Sequence, residues 1–462
     1  MKIVFVTPNS RFVPPSVRLG PLYLASYLRS QGYCDITIID ARHERLSDKG
    51  VALRLKTLFP DVVGITGLGM EFAEVHRLAG LAKEIKAHCA VIVGGPYATS
   101  SPEHILKDPN VDFVVMGEGE RTVSKLINAL ENGKDFSEIE GLAYKKDQAC
   151  VVNPVQPAIE DLDAIPFPAW DLIDMEGYFK DIRKHSQTPI PTSHRIAPLF
   201  TSRGCPYRCT YCHNIFGKKI RFRSVENVLE EIETLIKNYG VQEIEVLDDC
   251  FNFDLPRAKK ICDEIIKRGI KIALSFPNAL RVDRMDEELI VKLKQAGTRV
   301  IYYAIESASP RIQKAINKNL DLGKARYIIA QTIKQGMITC GYFMLGFPGE
   351  TKEEILQTLG FAKDAGFHIA DFFYLIPQPN TEIFNELEKE RMKFKKVGVH
   401  DYHWLSANAS SLSDSELKRM GMKAYREFYF RPRQMWRLWN IIPDKAQILR
   451  NAFMIALHSV TN

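Results

Sequence analysis

Three cysteines within residues 205–212 carry the clearest chemical signal in this chain. They stand as Cys205, Cys209 and Cys212 in the run Cys-Pro-Tyr-Arg-Cys-Thr-Tyr-Cys, a C-x₃-C-x₂-C spacing with no fourth cysteine close behind it. An iron–sulfur cube is usually held by four thiolates. Three thiolates therefore leave one iron with an open position, where a small molecule can bind in addition to any transfer of electrons.

A zinc site and a set of structural thiols are the alternatives for these cysteines. A structural zinc requires a fourth Cys or His at a suitable spacing, and the nearest candidate, His213, directly follows Cys212. Adjacent residues share one metal only with strain, so the spacing favours an iron–sulfur cluster. The apolar run at 197–201 predicts a strand. The cysteines then lie in a loop at a strand's carboxyl end, where α/β barrels carry their chemistry.

The first 135 residues alternate short apolar runs with amphipathic helical patterns. Alternation of this kind predicts an α/β fold with an open, doubly wound parallel sheet. Two glycine-rich turns, at 94–96 and 117–120, would let a ligand approach the backbone at the carboxyl edge of that sheet. The predicted strands are Ile3–Val6, Ile36–Ile39, Val62–Thr66, Ala90–Val93 and Phe113–Met116.

The remaining chain divides into a connector, a second α/β unit and a tail. Residues 136–195 predict a connector with a hairpin and a proline-rich run, and residues 386–462 form a helical, basic and aromatic C-terminal region. Residues 196–385 resume the β/α alternation and predict an incomplete six-stranded (β/α)6 barrel. Its strand patterns lie at 198–202, 243–247, 271–275, 300–306, 339–345 and 370–376.

Composition limits the classes of protein to which the chain can belong. It has 462 residues, of which 45% are hydrophobic and 26% charged, and a formal net charge of +6. These values are ordinary for a globular protein and too mild to indicate nucleic acid. Nine cysteines without an even framework argue against a secreted disulfide fold. No signal-peptide pattern opens the chain, and no apolar stretch approaches the roughly 20 residues of a membrane span. We therefore expect a cytoplasmic protein.

The cysteine segment and the domain order together resemble the radical S-adenosylmethionine (radical SAM) superfamily, in particular its cobalamin-binding branch. The radical SAM resemblance covers residues 196–385. It implies that the amino and carboxylate groups of S-adenosylmethionine chelate the open iron of a [4Fe-4S] cluster. Electron transfer into the sulfonium would then release methionine and a 5′-deoxyadenosyl radical. The barrel would protect this radical from water and side reactions.

The resemblance assigns barrel residues to the binding of S-adenosylmethionine. Tyr211, before the third cysteine, would support the adenine. The segment at Asp248 and Asp249 resembles the Asp-Asp-x-Phe variant of the cobalamin branch, in which a carboxylate accepts hydrogen bonds from the methionyl amine. A helix N-cap before Pro256 is the alternative for these aspartates.

Three further segments follow predicted barrel strands. Glu306 and Ser307 begin a Glu-Ser-x-Ser sequence like the family's contact with the ribose and the methionine. Arg281 would pair with the methionyl carboxylate, and an ordinary surface arginine is the alternative. Gly346 opens a Gly-Phe-Pro-Gly sequence that resembles the loop near the adenine, where close backbone approach favours glycine.

The Rossmann-like N-terminal domain matches the cobalamin branch at its strand ends and departs from it at one motif. Thr66-x-Leu68 and the pair Gly94-Gly95 match the Ser-x-Leu and Gly-Gly elements that bury the nucleotide tail of cobalamin. The Asp-x-His-x-x-Gly motif, whose histidine ligates cobalt from below, is absent. The lower cobalt face would then meet the loop that ends at Met70. A degenerate domain that binds nothing is the alternative.

The C-terminal tail interleaves basic and aromatic residues at 414–450, with Trp436 and Trp439 three positions apart. If the segment is helical, these two rings share one face. A helical cap on the barrel, a membrane interface and a nucleic-acid contact are the three interpretations of this pattern. We expect no nucleic acid, and we keep peripheral contact with the cytoplasmic face of a membrane as a hypothesis.

Together these features predict a cobalamin-dependent radical SAM enzyme. The first hypothesis is a C-methyltransferase that acts on an unactivated carbon of a small apolar substrate, with electrons from an external donor of the flavodoxin or ferredoxin type. The alternative is a cyclase or ring-rearranging oxidoreductase without net methylation, similar to the anaerobic magnesium-protoporphyrin monomethyl ester cyclase group. A non-enzymatic sensor would not need the S-adenosylmethionine contacts. A tRNA methylthiotransferase would need three more cluster cysteines in the N-terminal domain, where only Cys34 and Cys89 stand.

Overall fold

The computed structural model describes residues 1–10, 16–147, 149–180, 186–188, 191–212, 215–390, 405–442 and 445. These residues form an N-terminal α/β domain, a second α/β domain with six parallel strands, and a C-terminal pair of helices. The predicted α/β class and the predicted order of the three parts are thereby confirmed. The exact boundaries at residues 135, 195 and 385 remain predictions.

The N-terminal domain is built on a seven-stranded sheet. Its strands are β1 (Ile3–Thr7), β2 (Ile36–Asp40), β3 (Val62–Thr66), β4 (Ala90–Gly94), β5 (Phe113–Val115), β6 (Leu142–Lys146) and β7 (Ala149–Val152). They lie in the order β2-β1-β3-β4-β5-β6-β7, and the first five are parallel. The chain passes from β1 to β2 on one side and then to β3 on the other. Such a switch point opens a crevice at the carboxyl ends of the strands.

The hairpin of β6 and β7 extends this sheet at its edge. Strand β6 pairs antiparallel with β5, with Tyr144 opposite Phe113, and β7 pairs antiparallel with β6. The sequence pattern suggested a hairpin in the connector, and the structure places it in the N-terminal sheet. The physical reason is burial, because Leu142 and Tyr144 are 0% and 4% exposed and join the apolar core beside Phe113.

Helices cover both faces of the N-terminal sheet. They are α1 (Leu19–Ser30), α2 (Asp48–Leu58), α3 (Phe72–Ile85), α4 (Pro96–Ser100), α5 (Pro102–Ile105) and α6 (Gly119–Asn132), and α7 (Met175–Lys180) follows in the connector. Helices α1 and α6 pack together on the face that carries Phe5 and Ile92, while α2 and α3 pack together on the face that carries Val6 and Val93. Because both faces are covered, the strands read as nearly continuous apolar runs.

The second domain is the predicted incomplete barrel of six parallel strands. In chain order they are β8 (Ile196–Leu199), β11 (Glu243–Val246), β12 (Ala273–Leu280), β13 (Thr298–Glu306), β14 (Ile338–Leu345) and β15 (Ile369–Tyr374); the short strands β9 (Ser202–Arg203) and β10 (Arg221–Phe222) form a separate antiparallel ribbon. The order β15-β14-β13-β12-β11-β8 leaves β8 and β15 as edges. The helices are α8 (Val225–Tyr239), α9 (Leu255–Lys267), α10 (Glu287–Gln295), α11 (Pro310–Ala315), α12 (Leu322–Lys334), α13 (Lys352–Asp364) and α14 (Glu382–Lys389).

The C-terminal helices α15 (Asp414–Tyr429) and α16 (Pro432–Ile441) close the barrel at two places. Helix α15 lies along the edge strand β15, where the hydroxyl of Tyr429 bonds the N–H and the C=O of Ala370 at 3.1 and 2.9 Å. The hydroxyl of Tyr425 bonds the same two groups of Phe372 at 3.1 and 3.3 Å. An edge strand leaves a row of backbone groups unpaired, and these two phenols pair part of that row. Helix α16 packs Leu438 with Tyr302 and other side chains of the strands.

Tyr429→Phe should lower the free energy of unfolding by about 1–3 kcal/mol, because the buried N–H and C=O of Ala370 lose a partner while the ring packing remains. Chemical denaturation of the purified protein measures this difference. Tyr327→Phe is the matched control: Tyr327 is 48% exposed and its hydroxyl bonds Glu287 at the surface, so its removal should change the free energy of unfolding by no more than about 0.5 kcal/mol. Equal losses in the two variants would show that the phenol of Tyr429 does not support the edge strand.

Candidate cofactor and active site

One cavity of about 970 Å³ lies between the carboxyl edge of the N-terminal sheet and the barrel. The N-terminal domain contributes the ends of β3 and β4, helix α1 and the loop before α6, and the second domain contributes the cysteine loop and residues from β12 to β15. Ligand pockets are commonly about 300–1,000 Å³, so this volume lies at the upper end. The two sites that the sequence predicts in separate domains therefore open into one space.

The three cysteines lie in one loop between β9 and β10, described at residues 204–212 and 215–220, which we call the cluster loop. Arg203 and Arg221 are partners across the β9–β10 ribbon, so the loop starts and ends at the same place. Inside it, the N–H of Cys212 donates to the carbonyl of Cys209 at 3.1 Å. Gly204 has a φ of +93°, and a Cβ there would stand 2.4 Å from the carbonyl oxygen of Lys219. The first residue of the loop is therefore restricted to glycine.

The thiols of the cluster loop are close enough for their charges to interact. Cys212 is exposed on one side, but the protein atoms around it, together with the neighbouring thiols of Cys209 and Cys205, raise its pKa to about 12. Burial also raises the pKa of Cys205. A bound cationic metal centre removes this repulsion and stabilises the thiolates, so the donor set fits an iron–sulfur cluster.

The alternative of a single zinc ion depends on a fourth ligand beside the three cysteines. No group of three His, Cys, Asp or Glu side chains among those residues converges as ligands of one ion do. Thiolates that each bind a different iron of a cube need not converge in this way. His213, the candidate fourth zinc ligand, lies outside the described residues.

Asp248 supports the strand that leads into the cluster loop. Its carboxylate accepts hydrogen bonds from the N–H and the hydroxyl of Thr201 and from the hydroxyl of Ser202, all at 2.6 Å. The alternative that Asp248 or Asp249 caps the following helix is wrong. The N-cap of α9 is Asp254, whose carboxylate accepts a hydrogen bond from the N–H of Arg257 at 3.0 Å. Asp248 is thus a buried carboxylate that fixes residues 201–202, and its contact with the methionyl amine stays a prediction.

Asp249 is the member of the acidic pair whose side chain is accessible, although protein atoms surround it on other sides. Burial and the carboxylate of Asp248 raise its pKa to about 6. Its own charge in turn raises the pKa of Cys205 and of Cys212, so it lies near the thiols. Of the two aspartates, Asp249 is better placed to accept hydrogen bonds from an ammonium group bound at the cluster.

Glu306, Tyr211 and Lys318 form a buried, hydrogen-bonded group at the cavity. The hydroxyl of Tyr211 and the Nζ of Lys318 both donate to Oε1 of Glu306, at 3.0 and 2.8 Å. Glu306 has a φ of +65°, a conformation that costs free energy for a residue other than glycine and that the surrounding hydrogen bonds must stabilise. Burial and the charge of Glu306 raise the pKa of Tyr211 well above its usual value, so this phenol stays protonated and donates.

Arg281 lies outside the lining of the cavity and is engaged by protein groups. It forms a salt bridge with Asp283 at 2.9 Å and donates to the carbonyl of Lys318 at 2.6 Å. Its guanidinium also lies 3.6 Å from the ring centroid of Tyr207 in the cluster loop. These contacts make Arg281 a support of the loop's outer side. The predicted pairing with a methionyl carboxylate stays a prediction, and it would require a change of these contacts.

Gly346 and Ser307 fix two loops at the ends of barrel strands. Gly346 has a φ of +95°, and its N–H donates to Oε2 of Glu350 at 2.7 Å. Burial raises the pKa of Glu350 to about 7, although its hydrogen bonds from the N–H groups of Gly346 and Phe347 act to lower it. The hydroxyl of Ser307 is buried against that of Thr358 at 3.2 Å. Both residues therefore shape the backbone near the cavity.

The N-terminal part of the cavity is an apolar slot between the sheet and helices α1 and α6. Its depth depends on Gly64, because a Cβ at this position of β3 would stand 2.6 Å from the ring of Phe5. An apolar slot of this kind would shield an apolar part of a bound ligand from water. The side chains that line the slot include Phe5, Leu24, Ile92, Val115 and Val123.

Thr66, Leu68, Gly94 and Gly95 all line the cavity, whereas Met70 is not part of the lining and is buried, at 8% exposure. A Cβ on Gly94 would meet no atom within 4 Å, so a side chain there would enter open space. Gly95 has a φ of +88°, and a Cβ there would stand 2.8 Å from Oγ1 of Thr66. The structure thus brings four of the five predicted cobalamin contacts together at one edge, where a large ligand can approach the backbone.

The cavity lining contains no histidine among the residues that the structure describes. His43 follows β2, and its ring stacks on Tyr178 with 3.8 Å between the ring centroids. The N–H of His43 donates to Asp40 at 3.0 Å. This placement agrees with the absence of the Asp-x-His-x-x-Gly motif.

Several residues that line the cavity or contact its lining were not predicted from the sequence. Lys318 stands 12 positions after its partner Glu306, and nothing in the local pattern marks it. Glu118 and Glu120 were seen only as part of a glycine-rich turn, although both carboxylates line the cavity together with Arg203. Their alternation with Gly117 and Gly119 is the one signal that points to them.

Comparison with protein families and curated proteins agrees with this geometry. The chain matches the model of the Radical SAM superfamily over residues 199–362 and that of the B12 binding domain over residues 12–127. An uncharacterized methyltransferase of Pyrococcus horikoshii is 34% identical, over 94% of this chain and 93% of that protein. The cytidylyl-2-hydroxyethylphosphonate methyltransferase of Streptomyces wedmorensis is 30% identical, over 90% and 88%. The anaerobic magnesium-protoporphyrin IX monomethyl ester cyclase of Rubrivivax gelatinosus is 28% identical, over 93% and 77%.

Two solved structures share the fold. The radical S-adenosylmethionine methyltransferase TsrM from Kitasatospora setae, with cobalamin and a [4Fe-4S] cluster bound, aligns with a TM-score of 0.70 at 18% identity, over 84% of this chain and 75% of that one. The cobalamin-dependent radical enzyme OxsB, with aqua-cobalamin and S-adenosylmethionine bound, aligns with a TM-score of 0.73 at 19% identity, over 99% and 75%. Both proteins hold their cofactors on the fold that this chain adopts.

Proposed function

We propose a reaction for this chain on the premise that it belongs to the radical SAM superfamily, in the group that carries an N-terminal B12-binding domain. The chain is therefore an enzyme, and its cofactors are a [4Fe-4S] cluster, S-adenosylmethionine and cobalamin. The proposed reaction is methyl transfer to an unactivated carbon of a small molecule. The observation that carries it is the single cavity into which the cluster loop, Glu306 and the glycine edge of the N-terminal sheet all open.

When bound, the cluster and S-adenosylmethionine supply a carbon-centred radical, and cobalamin supplies the methyl group. Replacement of one hydrogen by methyl then consumes two molecules of S-adenosylmethionine and two electrons from outside. One molecule gives its methyl group and leaves as S-adenosylhomocysteine. The other takes the substrate hydrogen and leaves as 5′-deoxyadenosine and methionine. The atoms and charges balance without any further oxidant.

The residues of this chain bind, orient and shield the reactants. Cys205, Cys209 and Cys212 would hold the cluster, and Asp249 would accept hydrogen bonds from the methionyl ammonium. Tyr211 and Lys318 occupy Oε1 of Glu306 and leave Oε2 for a ribose hydroxyl. The mostly apolar lining of the cavity excludes water from the radical and suits a substrate that is largely apolar.

Isotopic labelling tests the reaction type. The anaerobically reconstituted enzyme is reduced chemically and incubated with S-adenosylmethionine that carries a ¹³C methyl group, together with small-molecule extracts of the host cell. Methyl transfer predicts a new product with the label on carbon, formed together with 5′-deoxyadenosine. If 5′-deoxyadenosine and an unlabelled, ring-closed product accumulate and no labelled product forms, methyl transfer is contradicted.

That second outcome belongs to the alternative function, oxidative cyclisation or ring rearrangement without net methylation. The resemblance to the anaerobic cyclase of Rubrivivax gelatinosus, which extends over 93% of this chain, favours keeping it. A cyclase and a methyltransferase would use the same cofactors in the same cavity, so the fold does not separate them.

The proposal includes an external electron donor of the flavodoxin or ferredoxin type. Three exposed cations in the cluster loop, Arg208, Lys218 and Lys219, support it, and of these Lys219 forms a surface salt bridge with Glu160. The charge of Lys218 acts to lower the pKa of Cys205 and of Cys212. An acidic carrier would dock at such a surface, with an association rate that falls as salt rises. A reducing, cytoplasmic location also belongs to this proposal, since a reduced cluster requires it.

Peripheral contact with an anionic membrane is a further part of the proposal. The helices that the structure describes include none that could span a bilayer, and the contact that we propose is at the membrane surface. Helix α16 turns Leu438 inward, at 7% exposure, and leaves Trp436 and Trp439 at 69% and 46%. Exposed indoles beside arginines suit the headgroup region of a membrane.

Replacing Trp436 and Trp439 together with alanine should reduce sedimentation with anionic liposomes and change the free energy of unfolding by less than about 0.5 kcal/mol. Leu438→Ala is the control, because its side chain packs in the barrel and its loss should lower that free energy by about 2–5 kcal/mol. Wild-type protein that fails to sediment with anionic liposomes would end the membrane proposal and leave α16 as a cap.

A further inference from the structure

Four buried charged residues join the two α/β domains beside the cofactor cavity, and we call them the interdomain charge network. Glu118 precedes α6 and Glu120 lies in its first turn, whereas Arg203 and Arg221 lie in β9 and β10. All four are between 4% and 7% exposed. Nη1 of Arg221 donates to both oxygens of Glu118, at 2.9 and 2.8 Å. Arg203 donates to Glu120 at 2.7 Å and to Glu118 at 3.3 Å.

The two arginines stand at the two ends of the cluster loop, because they are direct partners across the β9–β10 ribbon. Arg221 also donates to the carbonyl of Phe216 inside the loop at 2.9 Å, and to that of Ile159 at 2.6 Å. The guanidinium of Arg203 lies 5.2 Å from the ring centroid of Phe216 and 5.1 Å from that of Tyr23 on α1. The loop that carries the three cysteines is therefore tied to the N-terminal domain as well as to the barrel.

Apolar contacts alone would join two domains without removing four charges from water. A buried ion pair contributes little net stability, since the loss of hydration offsets most of the attraction. Arginine–carboxylate pairs instead fix distance and direction, because the guanidinium is planar and its donors are rigid. Glu118, Glu120 and Arg203 also line the cavity. The network is thus suited to set the geometry across the cavity.

We infer that Glu118 and Glu120 are positioning residues that hold the cluster loop in one orientation relative to the cobalamin side of the cavity. They act through Arg203 and Arg221 on the loop. The inference rests on the proposed function, because the geometry that it concerns is that between the two cofactors. It assigns the Gly-Glu-Gly-Glu turn a second role beyond close approach of a ligand to the backbone.

Hydrogen exchange of the cofactor-free protein gives the first test. Glu118→Gln keeps the size of the side chain and one acceptor oxygen, but it removes the negative charge that both Arg203 and Arg221 face. Peptides from residues 204–220 should then exchange about tenfold faster than in the wild type, as expected when a charge-assisted hydrogen bond is lost. Glu231→Gln is the matched control: it weakens the equally buried pair of Arg223 and Glu231, which lies within the barrel domain. The control should leave exchange of the loop unchanged relative to the rest of the barrel.

Magnetic interaction between the cofactors gives the second test. In protein loaded with cobalamin and reconstituted with iron and sulfide, the reduced cluster should speed the spin relaxation of Co(II) by an amount that depends on their distance. Glu118→Gln should weaken or spread this effect, and Glu231→Gln should reproduce the wild type. Glu120→Gln, which leaves Arg203 its longer bond to Glu118, should give an intermediate result and replaces Glu118→Gln if that variant does not fold.

Unchanged loop exchange together with unchanged Co(II) relaxation in Glu118→Gln would overturn the inference. A wild-type protein that retains neither iron nor cobalamin would instead contradict the proposed function. In that case the exchange experiment, which needs no cofactor, still decides whether the network orders the loop.

Discussion

Replacing Cys205, Cys209 and Cys212 together with alanine should remove all iron from the reconstituted protein and abolish formation of 5′-deoxyadenosine. The three thiols lie in one loop, their charges interact, and burial raises the pKa of two of them. Without metal the thiols of Cys205 and Cys212 are therefore protonated at neutral pH, and a bound cluster would hold them as thiolates. Iron and sulfide analysis, with chromatography of the products of S-adenosylmethionine, measures both effects.

The sharpest control is Cys250→Ala. Cys250 is 2% exposed, and burial together with the charge of Cys205 raises its pKa to about 12, so it is a buried thiol close to the cluster loop. We expect this variant to keep its iron, because Cys250 lies in the core and not in the loop. Full iron content in the triple variant would contradict the assignment of the cluster. Loss of iron in Cys250→Ala alone would show that the cluster has a ligand outside the loop.

The local signals of the sequence identified the parts of the site that are built from neighbouring residues. The C-x₃-C-x₂-C spacing, the acidic pair at 248–249 and the glycine pair at 94–95 are each contained in a few positions. The alternation of apolar runs and helical patterns likewise predicts both sheets, because parallel strands buried on two faces have little freedom in composition. These predictions needed no knowledge of which elements lie side by side.

The missing parts depend on contacts between distant segments. Arg203 and Glu120 are 83 residues apart, and Arg221 and Glu118 are 103 apart. The sequence of either domain alone does not indicate that they meet, since only the docking of the two domains brings them together. For the same reason the hairpin of β6 and β7 was recognised, but its place at the edge of the N-terminal sheet was not.

Periodicity also left the orientation of one helix open. The spacing of Trp436 and Trp439 correctly predicts that the two rings share a face of α16. It does not show whether that face meets the barrel or solvent, and the structure gives the inward position to Leu438 instead. Asp248 illustrates the same limit for a polar residue, because three hydrogen bonds from Thr201 and Ser202 occupy a carboxylate that the resemblance assigned to a ligand.

Gly94→Val should weaken the binding of cobalamin by about 10- to 100-fold, because the side chain would fill space that the ligand needs, and overpacking typically costs about 1–3 kcal/mol. Gly94 ends strand β4 and lines the cavity, and a Cβ there would meet no protein atom within 4 Å. The free protein should therefore accept valine without a clash. Titration of the protein with hydroxocobalamin, followed by absorbance, measures the change in affinity.

Gly360→Val is the matched control, since Gly360 lies in α13 away from the cavity and a Cβ there also meets no atom within 4 Å. It should bind cobalamin as the wild type does. Thermal unfolding without cofactor should show that Gly94→Val remains folded, which separates loss of binding from loss of structure. Thr66, Gly94 and Gly95 line the cavity at the same edge of the sheet. Unchanged affinity in a folded Gly94→Val protein would therefore mean that cobalamin does not lie against this edge. The slot lined by Phe5 and Val123 would then belong to another ligand.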